Sequence, residues 1–226
     1  VMLHLYDAIA GHKPALVTNV GLKTYADPRQ EACKANQKTK DQGREIVELI
    51  NIGGQETLAY KTFDIDACFI RGYAADENGN ITLDHSATGD MGFDIAAATH
   101  NTGGIVIAEV RRVVKNGSLN PRNVKIPAGI VDYVVIADED KYQQGYAAAY
   151  RPELSGDITV PVDGLKPMDM SNRKIIARRG AMELVPDCVI NLGIGIASGI
   201  GSVANEEGIA STLSLEYGAL GGVPVE

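Results

Sequence analysis

Cysteine and histidine are scarce in this chain of 226 residues, and basic residues are outnumbered by acidic ones. The three cysteines, Cys33, Cys68 and Cys188, stand far apart in no metal-type spacing. That excludes a disulfide framework or a zinc site as the organising principle and fits a reducing cytoplasm. With 21 Lys and Arg against 29 Asp and Glu, the formal charge is −8. Nucleic acid and membrane surfaces, which need clustered basic residues to displace counterions, are therefore not expected partners. The four histidines, His4, His12, His85 and His100, form no base-and-orienter arrangement, and His85 beside Asp84 reads as a surface pair. Long apolar runs are missing as well. The longest, Cys188 to Ala204, is broken by Asn191, Ser198, Ser202 and repeated glycines, too short and too punctuated for a membrane span. Val1 to Asp7 lacks the basic region and apolar stretch of a signal peptide.

What remains is an ordinary globular composition, 45% hydrophobic and 22% charged, with length for one large domain or two smaller ones. Helical and strand patterns alternate, which predicts an α/β architecture with a largely parallel sheet. Met2 to Ala10 reads as a helix and Ala15 to Val20 as a strand. Gly21 to Asp41, carrying Asp27-Pro28-Arg29, has no sustained period and reads as a long excursion. Glu45 to Ile52 and Glu56 to Thr62 flank Gly53-Gly54 as a hairpin. Ala67 to Arg71 is a strand, and Asp76 to Asn80 has Asn-Gly turn chemistry. The acids Asp76 and Glu77 have no basic residue nearby in sequence and read as a lone exposed pair. Asp90 to His100 is a helix closed by Asn101 to Gly104; Ile105 to Val114 and Ile130 to Ala137 are strand-like around a proline-marked stretch, Leu119 to Pro127.

The pattern loosens around Tyr142 to Asp169, where a domain boundary is expected. Arg173 to Leu184 is then an amphipathic helix, with Ala177, Ala181 and Leu184 on one face and an Arg179–Glu183 pair on the wetter one. Cys188 to Leu192 and Thr212 to Glu216 read as strands around a helix from Gly199 to Glu207, with Glu206 and Glu207 at its solvated end.

The last strand delivers a carboxylate, Glu216, into Gly218-Ala219-Leu220-Gly221-Gly222-Val223-Pro224. A strand apolar up to its final position usually ends in a turn residue, so an acid facing glycine-rich backbone suggests a group that meets a ligand. Two chemistries compete for it. A ribose-binding acid belongs at the end of the second strand of a dinucleotide fold, but the third glycine of that fingerprint is missing: position 198 is Ser. Alternatively Glu216 is a nucleophile, for a carboxylate near its reference pKa of about 4.3 is ionised at neutral pH without a general base. The backbone amides near Leu192, Gly193 and Gly195 are candidate oxyanion donors or simply a tight strand-to-helix turn, and Gly221 with Gly222 either admits a ligand or makes a turn.

Three stretches resemble the second-half motifs of class I coenzyme A transferases, closest to the fused short-chain acyl (acetate or propionate) subgroup. They are Asn191-Leu192-Gly193-Ile194-Gly195-Ile196, Val203-Ala204-Asn205-Glu206-Glu207-Gly208 and Glu216-Tyr217-Gly218-Ala219-Leu220-Gly221-Gly222-Val223-Pro224. First-half motifs follow in order: Gly21-Leu22 through Asp27-Pro28-Arg29, Arg71-Gly72 through Asn80, His100-Asn101-Thr102-Gly103-Gly104, and Arg173 to Arg179. The chain departs from the family pattern with Lys23 for a glycine, Ala32-Cys33 for a Gly-Gly pair, Ala197 for a proline, and Tyr217 after the glutamate.

The resemblance implies two tandem open α/β/α domains of the CoA-transferase type. Residues 1–155 would be the later part of the first, 156–171 a linker and 172–226 the opening of the second, the chain being a fragment of both. It implies that Glu216 is the catalytic nucleophile; for that chemistry Leu192, Gly193 and Gly195 are the candidate oxyanion donors and Gly221 with Gly222 the candidate contacts to CoA. Acyl-CoA and short-chain carboxylates would be the partners, in a homo-oligomer when full length, with no metal and no nucleotide cofactor, CoA being a substrate. An acyl-CoA hydrolase on the same fold, a dinucleotide-binding oxidoreductase and a non-catalytic ligand-binding fragment are the alternatives.

Overall fold

A computed structural model describes residues 1–86, 91–138, 141–142, 149–215 and 220–224. The chain divides into two compact units, Val1–Ser155 and Gly156–Glu226.

The first unit opens with α1 (Met2–Ala10), β1 (Ala15–Thr18), the short α2 (Gln37–Asp41), β2 (Val47–Ile52) and β3 (Gln55–Lys61). β3 pairs antiparallel with both β1 and β2, joining the expected hairpin to the first strand. α1 packs its buried Leu5 and Ile9 with Val47, Leu58 and Tyr60 of the hairpin. Ala98 of α3 (Gly92–Asn101) closes the same cluster. β4 (Ala67–Arg71), β7 (Ile105–Val110) and β10 (Tyr133–Ile136) form a parallel sheet with β7 in the middle. In β7 Val106, Ala108 and Val110 are fully buried while Ile105 and Glu109 face outward, the alternation of a strand covered on one face.

A further sheet is legible only in part, since of its four strands just Arg112–Val114 lies in a run that reads as strand-like. It runs β8 (Arg112–Val114), β5 (Ala74–Asp76), β6 (Ile81–Thr82) and β9 (Val124–Ile126), with antiparallel and parallel pairings mixed. β9 falls inside the proline-marked stretch Leu119 to Pro127. Strands of two or three residues carry no readable period; this sheet is held by tertiary packing, since Ala75, Ile81 and Ile126 are fully buried in the cluster that includes Val106 and Val110. The unit's last helix is α4 (Pro152–Ser155).

Two acidic sites correct the sequence expectations. Glu77 is not alone, for Lys115 Nζ lies 2.7 Å from its carboxylate. Asp76 is buried and serves its own turn, accepting from the Asn78 and Asn80 amides at 3.0 and 2.9 Å. Burial by itself would raise the Asp76 carboxyl; the donors of Asn80 and the turn amides hold it below the usual carboxylate range.

The excursion after β1 is also ordered around an acid. Asp27 is completely buried, and its carboxylate accepts from the Lys23 amide (2.9 Å), the Arg29 amide (3.0 Å) and both Nε (3.0 Å) and Nη2 (2.8 Å) of Arg29. The Arg29 side chain and these amides press its pKa far below the normal carboxylate value. Around this anchor Lys23, Ala32 and Cys33 adopt φ of 64°, 52° and 63°, a left-handed conformation that glycine takes more easily. These are the three positions where the resembled family carries glycine.

The second unit contains α5 (Asn172–Ala181), β11 (Cys188–Asn191), α6 (Gly199–Glu206) and β12 (Ser211–Ser214), the strands pairing in parallel across the intervening helix. The Ser171 side chain caps α5, and Ala177 and Ala181 bury against Val203 of α6 and Met168. Arg179 and Glu183 pair at i, i+4 on its exposed side. Glu206, in contrast, is no solvated helix end. It is mostly buried, sits 2.7 Å from Lys174 Nζ and accepts from the Met168 amide, bracing α6 against α5 and the segment before it. Among the described residues no helix is long and apolar enough to cross a membrane.

Candidate active site

Parallel pairing sets the geometry of the second unit. Asn191 is opposite Ser214 in the β11–β12 register, so the segments beginning at Leu192 and Leu215 leave neighbouring strands at the same carboxyl edge. Open α/β sheets bind ligands at that edge. The Asn191 side chain ties the two strand ends together by donating to the Ser214 carbonyl at 3.0 Å. Sequence reasoning assigned no role to this side chain, although its position at the end of a buried-type strand was visible.

From β11 the chain passes through Leu192, Gly193 and Gly195 into a 3-10 turn, Ile196–Ser198, that runs on into α6. Gly195 has φ 121° and ψ −130°, a region closed to side-chain-bearing residues, and a Cβ built there would meet nothing within 4 Å. Its glycine is thus demanded by backbone geometry rather than by crowding, and the space beside it is open. The Gly195 carbonyl accepts from Ser198 Oγ (2.7 Å) and Arg173 Nη2 (3.1 Å), which fixes the peptide leading into the helix. Ser198, the residue that breaks the dinucleotide fingerprint, has this local duty.

On the β12 side, Glu216 and Tyr217 lie outside the described residues. The chain is again described at Leu220, which bridges antiparallel to Ser214, and the Gly221 amide donates to the Leu213 carbonyl at 2.7 Å. Gly221 and Gly222 have φ of 80° and 81°, with open space where a Cβ would lie. The candidate residues Leu192, Gly193, Gly195, Gly221 and Gly222 therefore border the ends of one two-stranded sheet. An exposed set of main-chain amides without side chains above it can approach a carbonyl oxygen closely and stabilise the negative charge that nucleophilic attack develops.

Other candidates resolve as structural. Asn101 donates from its side chain to the Ala10 carbonyl at 2.7 Å, closing the end of α1, and Thr102 Oγ1 accepts from the Ile65 amide at 3.1 Å. The His85 ring stands edge-on to Tyr73 and Tyr150, with centroids 4.6 Å from each. Cys33, Cys68 and Cys188 are free thiols, and burial pushes the Cys33 and Cys68 thiols up. Among the described residues no group of three or more His, Cys, Asp or Glu converges to hold a metal ion.

Comparison with known proteins places these features in context. Residues 8–137 match the family model described as Coenzyme A transferase. The chain is 40% identical over 227 residues to the caffeate CoA-transferase of Acetobacterium woodii, covering 99% of this chain and 43% of that protein. It is 36% identical over 225 residues to the acetate CoA-transferase YdiF of Escherichia coli K12, covering 99% of this chain and 42% of that protein. It superposes on the E. coli O157:H7 acyl-CoA transferase YdiF, solved as a thioester complex with CoA, with a TM-score of 0.82 and 36% identity. That match covers 98% of this chain and 44% of that one. The chain thus spans less than half the length of these relatives.

Proposed function

Since the chain belongs to the coenzyme A transferase family, we propose that it carries the nucleophile of a reversible CoA transfer between a short-chain acyl-CoA and a free carboxylic acid. Glu216 attacks the thioester carbonyl and expels the CoA thiolate, leaving an acyl-glutamyl anhydride. The thiolate then attacks the glutamyl carbonyl, forming the Glu216–CoA thioester and releasing the first acid. A second carboxylate reverses the two steps and leaves as the new acyl-CoA. Each attack makes a tetrahedral oxyanion, for which the amides of Leu192, Gly193 and Gly195 are the donors; Gly221 and Gly222 leave room for the pantetheine arm.

The observation that carries this reading is the shared carboxyl edge of β11 and β12, where a glycine-lined bend with open space and the strand leading to Glu216 emerge side by side. Support comes from the related transferase whose structure contains a thioester with CoA. The unit division after Ser155 agrees with a boundary near that residue, but it groups 156–171, including the buried Met168, with the second unit rather than leaving them as a separate linker. The acyl group is acetate- or propionate-sized, no metal or nucleotide cofactor takes part, and the intact protein works as a cytoplasmic homo-oligomer. Incubating the intact protein with acetyl-CoA and digesting it for mass spectrometry should reveal CoA, or after borohydride a reduced side chain, on Glu216. No adduct there, or full transfer by Glu216→Gln, overturns the assignment. CoA release that does not depend on added acetate would instead identify a hydrolase.

A further inference from the structure

Two Asn-Gly pairs occur in the chain, Asn78-Gly79 and Asn116-Gly117. Both lie in turns of the first unit, and the fold treats them in opposite ways. An asparagine followed by glycine is prone to attack on its own side chain, because the next backbone nitrogen reaches the side-chain amide carbon easily when no Cβ stands in the way. In a folded protein the reaction depends on how free that nitrogen is to move.

At Asn78-Gly79 the nitrogen is committed. Gly79 is buried, and its amide donates to the Asp76 carbonyl at 3.0 Å. The turn around it is fixed from both sides. The Asp76 carboxylate accepts from the Asn78 and Asn80 amides at 3.0 and 2.9 Å, and Asn80 Oδ1 accepts from the Ala128 amide at 3.0 Å. This network has to open before Gly79 can approach the Asn78 side chain.

At Asn116-Gly117 the nitrogen is free. The pair follows β8 as the two central residues of a turn closed by the Ser118 amide, which donates to the Lys115 carbonyl at 3.0 Å. The central peptide of such a turn takes no part in the closing bond. Among the described residues the Gly117 amide donates no hydrogen bond, and the Asn116 side chain makes none. Both residues are exposed; Gly117 stands at φ 78°, and a Cβ built there would meet nothing within 4 Å. What is anchored is the chain before the reacting bond. The Asn116 amide donates to Glu77 at 3.2 Å, beside the Lys115–Glu77 ion pair at 2.7 Å.

We propose that Asn116 is a self-modification site, deamidating through a cyclic imide in the folded protein while Asn78 is protected. Hydroxide takes the Gly117 N–H proton, the nitrogen bonds to Asn116 Cγ, and the Cγ–Nδ2 bond breaks, the departing nitrogen taking a proton from water to leave as ammonia. Water then adds to one of the two imide carbonyls and breaks its bond to the Gly117 nitrogen. The product is aspartate or, with the main chain rerouted through Cγ, isoaspartate. Either one sets a new carboxylate beside Glu77, where like charges repel, and isoaspartate also lengthens the main chain inside the Lys115–Ser118 turn.

The intact protein is kept folded at mildly alkaline pH and physiological temperature and sampled over days. Peptide mapping with fragmentation that separates aspartate from isoaspartate reads each site, and an isoaspartate-specific methyltransferase with a labelled methyl donor gives an independent readout. Conversion at Asn116 should run on the order of tenfold faster than at Asn78, which reacts only through local opening. In urea, where both pairs belong to a free chain, the two rates should agree within about threefold. Gly117→Ala should slow conversion at Asn116 on the order of tenfold, its Cβ hindering the attack, and leave Asn78 unchanged. If Gly117→Ala does not fold, as read by circular dichroism, Asn116→Gln carries the assignment by removing most of the methyl label from the folded protein. Equal rates at the two sites in the folded protein, conversion at Asn116 only after unfolding, or a methyl label that survives Asn116→Gln overturns the proposal.

Discussion

Two loops of this chain put backbone into left-handed or more restricted conformations, and they do so by opposite means. Around Asp27, non-glycine residues Lys23, Ala32 and Cys33 take positive φ in a loop closed by a buried carboxylate, which accepts from the Lys23 and Arg29 amides and the Arg29 guanidinium, and by the Ala32 and Cys33 amides donating to the Asp27 and Tyr25 carbonyls. At the ends of β11 and β12, Gly195, Gly221 and Gly222 take such φ with nothing packed where a side chain would go. The first loop spends interaction energy on holding itself closed. The second stays bare, which is what a ligand needs. Positive φ alone therefore says little about function; what fills the space above it separates a structural turn from a candidate site.

The largest effect expected from breaking this contrast is on activity. Gly195→Ala should fold, since the new methyl meets nothing, but it drives the backbone out of its φ 121° conformation and misaligns the local amides. CoA transfer should fall on the order of 10²-fold, the usual loss of one oxyanion donor, with a thermal midpoint lowered only modestly by the local backbone strain; equal activity would remove this bend from the chemistry. Next comes Asp27→Ala, which removes the anchor of the closed loop and leaves the Arg29 and amide donors unsatisfied. The urea midpoint should drop clearly, more than for the exposed Arg179→Ala control. Glu206→Ala, which leaves the mostly buried Lys174 ammonium with the Met168 carbonyl but no counter-charge, should cost about 1–2 kcal/mol in the second unit, below the loss from breaking a fully buried pair.

The pH dependence follows from Asp27. Its folded pKa is depressed, so the stabilisation it gives is fully present above the ordinary unfolded value of about 3.9 and is lost as pH falls below that toward the folded value. Wild type should therefore lose stability on acidification below about pH 4 more steeply than Asp27→Ala; parallel acid profiles would refute the linkage. The smallest effect should come from relieving strain: Cys33→Gly and Ala32→Gly are expected to change stability by no more than about 1 kcal/mol, because released strain is offset by the extra freedom of glycine in the unfolded chain. A large loss would mean these side chains, not the backbone, hold the loop.

Long periodic elements were legible from residues alone. α1, the β2–β3 hairpin, β4, β7 and α5 fall where apolar spacing and turn residues put them, within a few residues at each end. The motifs from Asn191 to Pro224 led to a family that the comparisons bear out. The site residues were legible as types in a pattern, an acid entering glycines after a buried strand, while their roles rest on the experiments above. Less was readable wherever a side chain's meaning comes from residues far along the chain. Asp27 looked like part of a polar excursion, Glu206 like a wet helix end and Glu77 like a lone acid.

In each of those cases a partner remote in sequence or an enclosing layer made the difference, as with Lys174 for Glu206 and Lys115 for Glu77. The sequence by itself determined the alternation of helices and strands, the acidic charge and the glycine-framed strand ends, because periodicity and φ preference are local properties of the chain. Tertiary structure alone decided how the four short strands join in one mixed sheet and the burial of Asp27. Burial, ion pairing and enclosure depend on which distant segments meet, and no local pattern encodes that.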